Sequence, residues 1–376
     1  MLSRRAVVYA IMESTYGTAE SLTGNAILTA KPTITLVNEN LERNFVVPTL
    51  SPLAGHKVLN TVEISFDVEA RAGASAGTAP EIGPLLRSCG LLETINSGVS
   101  VVYTPVSDTF ESCTIYVFLD GVRHQILGCR GTAKFMAEVG KYGVFSFKMR
   151  GLYAAPTDVA LPTPTYVDQL PEVVGSGLIR TWGAWTAGAQ TLSTVGSSTT
   201  VTTTSNAFAS VVAGDALKAN GIVRTIATKT SSTEVVVNYA VNWSAGYSFE
   251  YAVRYVPVIS AFELDLGVEL YRRDDVTEAD GVKEIMIASR RPMGSIDPEA
   301  TTLATKSYWS EFENRSPVKM QFGYGYALSD TRINIDIPAA VYDDVKWGDR
   351  GPLLTYALPF LCQYESGDDE FTITYK

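Results

Sequence analysis

The sequence predicts a mainly β protein in which two strand-rich zones, each with one short helix, flank a small all-β module. Three observations predict this fold class. Apolar and polar residues alternate with period two in many short runs, helical periodicity is confined to two short stretches, and the composition changes sharply in the middle of the chain. At 376 residues and 46% hydrophobic composition, the chain can bury a sizeable core.

The first zone, residues 1–165, consists almost entirely of strand-like runs. They read RAVVYAIME, PTITLV, VEISFDVEAR, SVVYTPV, CTIYVFLDG, TAKFMAEV and VFSFKMRGLY. Between them, APEIGPLLRSCGLLE predicts one helix, with Pro80 in its first turn. Its apolar side is Ile82, Leu85, Leu86 and Leu91.

The run VEISFDVEAR, Val62 to Arg71, alternates without error and places three acids on one face of a strand. These acids are Glu63, Asp67 and Glu69. Because like charges on neighbouring strands are destabilising, a sheet face of this kind requires an explanation.

The middle of the chain predicts a separate module. A Pro-punctuated connector, residues 166–177, leads into residues 178–254, where Ser and Thr fill 12 of the 20 positions from Thr191 to Ser210. Short alternating runs and turn signals persist there, which favours a small β-module over disorder. The charge also shifts: residues 173–249 carry +2, whereas the whole chain carries −10. We therefore expect an inserted β-module at 178–254.

The third zone, residues 255–376, returns to the style of the first. SAFELDLGVELYR opens it, and DPEATTLATKSYWSEF predicts its helix, with Asp297 as the N-cap. Aligning VEISFDVEAR with FELDLGVELY matches three residue pairs and the apolar register. The pairs are Glu63 with Glu263, Val68 with Val268 and Glu69 with Glu269. Together with the shared order of elements, this match favours an internal duplication.

The chain lacks the residue constellations that catalysis or metal binding requires. Its two histidines form no HExxH motif, its four cysteines form no CxxC, and GxxxxGK[ST] and GxGxxG are absent. We therefore predict no enzyme activity and no catalytic, cofactor-binding or metal residues. Two acidic stretches, RRDDVTEADG and YDDVKWGDRG, are the remaining calcium candidates, although neither fits the EF-hand pattern. We also expect buried free thiols, no secretion signal and no membrane span.

Several spaced segments resemble the tail tube (major tail) proteins of long, non-contractile-tailed bacteriophages, the siphoviruses. In the first zone they are MESTYGTAE, GNAILTAKPTITLVNENLERN, GTAPEIGPLLRSCGLLETINSGVSVVYTPVSD and CTIYVFLDGVRHQILGCRGTAKF. In the third they are SAFELDLG, GSIDPEA, WGDRGPLLTYALPFL and SGDDEFTITYK. The middle zone resembles, more loosely, a small β-barrel decoration module of phage virion proteins.

This resemblance implies two tail-tube-type β-sandwich domains, residues 1–165 and 255–376, each with one flanking helix. Neighbouring subunits would join their strands into a barrel around a channel, and two domains per chain would make a ring of three chains pseudo-hexameric. Residues 31–59 and 154–177 are candidates for bridging stacked rings. The implied partners are other copies of the chain, tape measure, terminator and tail-tip proteins, and double-stranded DNA passing without specific binding. The implied location is the virion tail, assembled in the host cytoplasm, with no cofactor and no membrane.

The acid-bearing strand face fits this expectation, because an anionic wall repels DNA and lets it slide. The candidate lumen-lining residues are Glu63, Asp67, Glu69, Glu263, Asp265 and Glu269. The alternative is that these faces are ordinary outer surface. A rival function is a virion-surface adhesin whose 178–254 module binds host glycans, with the aromatics of WGAW, Trp182 to Trp185, stacking on sugars. A tail-associated glycan hydrolase ranks third because the chain lacks a catalytic constellation.

Overall fold

The protein is mainly β, as predicted: strands make up 53% of it and helices 3%. The structure, a computed structural model, describes residues 5–171, 173–175, 178–183, 186–193, 196–220, 222–278, 280–325 and 333–376. Within these ranges, no helix has the length and apolar character needed to cross a membrane.

In the first half of the chain, antiparallel strands pair in the order β2-β3-β8-β7-β6-β1. Every strand-like run predicted for this half is a strand or part of one. The elements are β1 Ala6–Met12, β2 Thr33–Leu41, β3 His56–Glu69, α1 Gly83–Ser88, β4 Leu91–Asn96, β5 Ser100–Pro105, β6 Cys113–Leu119, β7 Val122–Glu138, β8 Val144–Tyr153 and β9 Thr157–Asp158.

In the second half, strands pair in the corresponding order β18-β21-β25-β23-β22-β10. The elements are β10 Leu178–Trp182, β17 Arg254–Tyr255, β18 Ala261–Asp265, β19 Val268–Asp274, β20 Val282–Arg290, β21 Met293–Ile296, α2 Tyr308–Glu313, β22 Val318–Tyr324, β23 Ile333–Tyr342, β24 Lys346–Arg350, β25 Leu353–Gln363 and β26 Thr372–Tyr375. The strand order of one half therefore repeats in the other, while the division into domains stays a prediction.

The middle of the chain forms its own six-stranded sheet, with order β11-β16-β13-β14-β15-β12. These strands are β11 Thr186–Thr191, β12 Gly196–Thr202, β13 Ala216–Ala219, β14 Ile222–Lys229, β15 Glu234–Trp243 and β16 Ser248–Ala252. They enclose a separate apolar core that includes Val201, Phe208, Val235, Trp243 and Phe249. The strand β10, which the sequence placed in this module, instead pairs with β22 of the main sheet.

Both helices are shorter than predicted, and both begin at a different residue. Helix α1 starts at Gly83 with Pro84 in its first turn, so Pro80 precedes it. Helix α2 starts at Tyr308, and the side chain of Ser307 caps it. The predicted cap, Asp297, accepts backbone hydrogen bonds from Ser260 and Ala261 at 2.8 Å and therefore anchors the start of β18.

The predicted strand SAFELDLGVELYR is broken at Gly267. This glycine has φ +58°, and a Cβ there would lie 2.0 Å from the carbonyl oxygen of Arg291. Only glycine accommodates both conditions, so the chain turns and β19 continues as a separate hairpin with β20. The residue-by-residue alignment of the two halves is consequently wrong. Strand β18 lies where β2 lies in the first half, and β21, not β18, takes the position of β3.

One continuous core lies beneath both halves. Phe135 of the first half lies near Phe262 of the second, which stacks on Phe322 with ring centroids 4.3 Å apart. The last strand, β26, pairs with β5 of the first half and β23 of the second. The two halves are therefore joined both through side chains and through backbone ladders.

Candidate assembly surface

A single sheet runs through both halves because β7 pairs with β18. Lys134 lies opposite Asp265, and Glu138 opposite Ala261. The resulting order is β2-β3-β8-β7-β18-β21-β25-β24. Among the described residues, β2 pairs only with β3 and β24 only with β25, so this sheet ends in two unpaired edges.

The two faces of this sheet differ. One face packs on the core through residues such as Ile64, Phe66 and Phe147. The other is exposed to different degrees and carries most of the candidate lumen residues. Five of the six lie on this charged face: Glu63, Asp67 and Glu69 on β3, with Glu263 and Asp265 on β18.

Basic side chains on the intervening strands explain how this face tolerates its acids. The ammonium of Lys134 lies 2.8 Å from the Glu263 carboxylate, and Arg150 lies 3.8 Å from Glu63. Lys148 stands opposite Ser65, between these positions. Opposite charges across neighbouring strands are favourable. The charged face is therefore mixed rather than uniformly acidic, which the single-strand pattern could not reveal.

The sixth candidate, Glu269, lies apart from the sheet on the β19–β20 hairpin. It accepts a hydrogen bond from the Ser289 hydroxyl at 2.8 Å. It also lines a cleft of about 590 Å³ together with Glu63, Lys148 and Arg150. The sequence predicts Glu269 on the same strand as Glu263 and Asp265. That prediction is wrong because the chain turns at Gly267, so Glu269 lies on β19.

The two acidic stretches considered for calcium bind cationic side chains of the same chain. In the first, the Lys283 ammonium and the Thr277 backbone and hydroxyl hold the pKa of Asp275 well below its usual range. In the second, Lys346 lies 2.9 Å from Asp344. Among the described residues, no group of three or more His, Cys, Asp or Glu side chains could hold a metal ion. All four cysteines are buried and free, as expected.

Two half-buried, oppositely charged side chains near the base of the inserted module have no signature in the sequence. Burial lowers the pKa of Lys319 and raises that of Asp336. Lys319 also lies 5.0 Å from the ring of Trp182. That indole is fully buried and donates to the Gly214 carbonyl at 3.0 Å. Trp182 therefore packs at a junction and is inaccessible to a sugar, and Trp185 lies outside the described residues.

Large apolar side chains are exposed at the sheet edges and on the loop between β2 and β3. Leu36 on β2 is 45% exposed and Trp347 on β24 is 55% exposed. We call residues 42–55 the arm; its Phe45, Val46 and Leu50 are 70% exposed or more. Exposed apolar groups of this size, at unpaired edges, are typical of surfaces that other protein chains cover.

A family model described as "Phage tail tube protein" matches residues 3–348, nearly the whole chain. No curated protein matches the chain.

Proposed function

This chain belongs to the phage tail tube protein family, and we propose that three copies of it form each ring of a stacked tube. Family membership places it in the virion tail as a structural protein. The observation that carries the proposal is the sheet that passes from one half to the other through β7 and β18. Because both halves have the same strand order, one chain supplies two similar wedges of a ring. Three chains then close a pseudo-sixfold circle.

The charged face of this sheet is proposed to line the channel that conducts the genome. Its opposite face packs on the core, so the charged face is the one available to water. Double-stranded DNA carries about one negative charge per 1.7 Å of axis. A face in which Lys134 and Arg150 are paired with carboxylates offers few free cations to hold phosphates. The wall would therefore let DNA slide without specific binding.

The role is passive and requires no catalysis and no cofactor. We propose that the ends of the tube contact tape measure, terminator and tail-tip proteins, and that assembly takes place in the host cytoplasm. The inserted module has its own core and its own sheet, so it can project from the tube without interrupting the main sheet.

Electron microscopy of the purified full-length chain and of assembled tails tests this proposal. We expect stacked rings with threefold symmetry and six similar densities around the channel. Rings of six complete chains would contradict the arrangement, and a chain that stays monomeric under all assembly conditions would contradict the function.

We expect Asp67→Lys to slow genome ejection while assembly proceeds normally. Asp67 is exposed on the charged face and has no ion pair with the described residues, so its reversal adds an unpaired cation to each wedge that contains it. The measurement is the rate of DNA release from purified particles at several salt concentrations, since screening should restore the rate. Asp67→Asn separates loss of the acid from gain of a cation. Asp158→Lys, on the exposed two-residue strand β9, is the matched reversal outside the charged face. If Asp67→Lys and Asp158→Lys give the same rate of DNA release, the charged face does not line the channel.

We expect shortening of the arm to block stacking while single rings still form. In the second half, the corresponding β19–β20 hairpin packs against the first half: Arg130 donates to the Ile285 carbonyl at 2.8 Å, and the Tyr16 hydroxyl accepts from the Ile285 backbone at 2.7 Å. Within the part of the chain that the structure describes, no residue covers Phe45, Val46 and Leu50 of the arm in this way, and all three are exposed. Replacing residues 43–53 by a short Gly-Ser linker should change the melting temperature little, because all the removed side chains except the half-buried Val47 and Leu53 are exposed. Particle images that still show long tubes would assign stacking to other segments.

A further inference from the structure

Inside the chain, the contact between β7 and β18 joins the two halves and leaves no unpaired edge between them. The matching strands at the ends of the same sheet are β24 and β2. Strand β24 pairs with β25 in the same way as the C-terminal part of β7 pairs with β8. Strand β2 pairs with β3 in the same way as β18 pairs with β21. Resting on the proposed function, we infer that β24 of one copy pairs antiparallel with β2 of a second copy, placing Lys346 opposite Thr35.

The register follows from the pairings of the two halves. Strands β8 and β25 hold corresponding places in the two halves; β8 ends at Tyr153, and Tyr364 directly follows β25. Aligning these two tyrosines superposes Ser146 on Ala357. Ser146 pairs with Lys134, and Ala357 pairs with Lys346, so Lys346 takes the place of Lys134.

The other edge is placed by the same alignment. It superposes Arg150 on Leu361. Arg150 pairs with Glu63 on the neighbouring strand, and Glu63 pairs with Thr35 on the next. In the same way, Leu361 pairs with Met293, and Met293 pairs with Asp265. Thr35 therefore takes the place of Asp265. Because Lys134 lies opposite Asp265 inside the chain, Lys346 lies opposite Thr35 between copies, and Gly348 lies opposite Thr33.

The exposure of apolar side chains supports this register. At the internal contact, Phe135 is 1% exposed and Leu266 is 3% exposed. Their counterparts at the free edges, Trp347 and Leu36, are 55% and 45% exposed. A second copy would cover both of them, as the second half of the chain covers Phe135. Burying exposed apolar surface of this kind is the main favourable term in association.

The hydrogen-bonding capacity of the edges agrees as well. At the internal contact, the Leu266 backbone donates to the Ala133 carbonyl at 2.9 Å. The corresponding donor and acceptor between copies are the backbone of Leu36 and the carbonyl of Val345. Pro32, which precedes β2, has no N–H to donate and lies where the ladder would end. Proline is tolerated at such a position because it is the start of an edge strand.

Cysteine cross-linking of assembled tubes tests the register. The predicted pair of Thr35 and Lys346 is a non-hydrogen-bonded pair, for which the Cα atoms lie about 4.5 Å apart, within the range that a disulfide spans. The variant T35C/K346C should give disulfide-linked trimers on non-reducing gels after mild oxidation. The four native cysteines are buried and should stay unlinked. The control T33C/K346C shifts the pair by two residues and should link at least about tenfold less.

A mixture of the single variants T35C and K346C gives a second readout. Because each contact then holds at most one disulfide and each chain only one new thiol, dimers should form and nothing larger. Tubes that assemble while T35C/K346C stays unlinked, or links no more than T33C/K346C, would overturn the register and leave the proposed function intact. If the unmodified chain forms no tubes or rings, the proposed function fails and the inference fails with it.

Discussion

Tyr375→Ala should cost about 3–5 kcal/mol of unfolding free energy, the range for removing a large aromatic side chain from a core. Tyr375 is 1% exposed in β26, and its ring lies edge-on to Tyr103 of β5, with centroids 5.8 Å apart. On its other side, Tyr375 pairs with Ile333 of β23. The substitution would therefore open a cavity where the two halves share a strand. Urea denaturation followed by tryptophan fluorescence measures the effect.

Tyr375→Phe is the matched control because it keeps the ring and removes only the hydroxyl. That hydroxyl is buried and has no hydrogen-bond partner among the described residues. Removing an unpaired polar group from a buried site is close to neutral or stabilising. A loss for Tyr375→Phe as large as that for Tyr375→Ala would mean that the hydroxyl, not the ring, holds β26 in place.

Local alternation was sufficient to predict most of the strands. VEISFDVEAR and VFSFKMRGLY were recognisable because each has one buried face and one exposed face, and this geometry imposes period two. The helices were predicted in the right places but too long. Pro80 and Asp297 are plausible starts for a helix, yet Pro84 and Ser307 take those positions. Asp297 instead binds the backbone of a distant strand, and no local pattern contains that information.

The candidate surface was predicted less completely, because its properties arise between strands. Glu63, Asp67 and Glu69 were correctly placed on one face, but the cations that balance this face lie on β7 and β8, far away in sequence. The internal sequence match pairs the wrong strands, because any two alternating segments match well. Gly267 carried a usable signal, since a glycine inside a strand pattern indicates a bulge or a bend. The half-buried Lys319 and Asp336 had no such signal.

Phe262→Ala should cost about 3–5 kcal/mol for the same reason of cavity formation, and it should also loosen the contact between the halves. Phe262 is fully buried on β18, the strand that pairs with β7. Its ring stacks on Phe322 and lies 6.3 Å from Phe135 and 6.4 Å from Phe360. Phe135 belongs to the first half, and Phe262→Ala would remove one of the aromatic rings of the second half that lie near it.

Two measurements separate this effect from a general loss of stability. Phe45→Ala makes the same substitution at a residue that is 70% exposed, so its unfolding free energy should match that of the unmodified chain. Limited proteolysis in the absence of urea should cut Phe262→Ala faster than Tyr375→Phe at Val174. This residue is buried, and its backbone is hydrogen-bonded to Gly140 and Lys141 next to the β7–β18 contact, so opening of that contact would expose it. Equal cleavage rates, together with a loss below about 1 kcal/mol, would show that the β26 ladders alone hold the halves together.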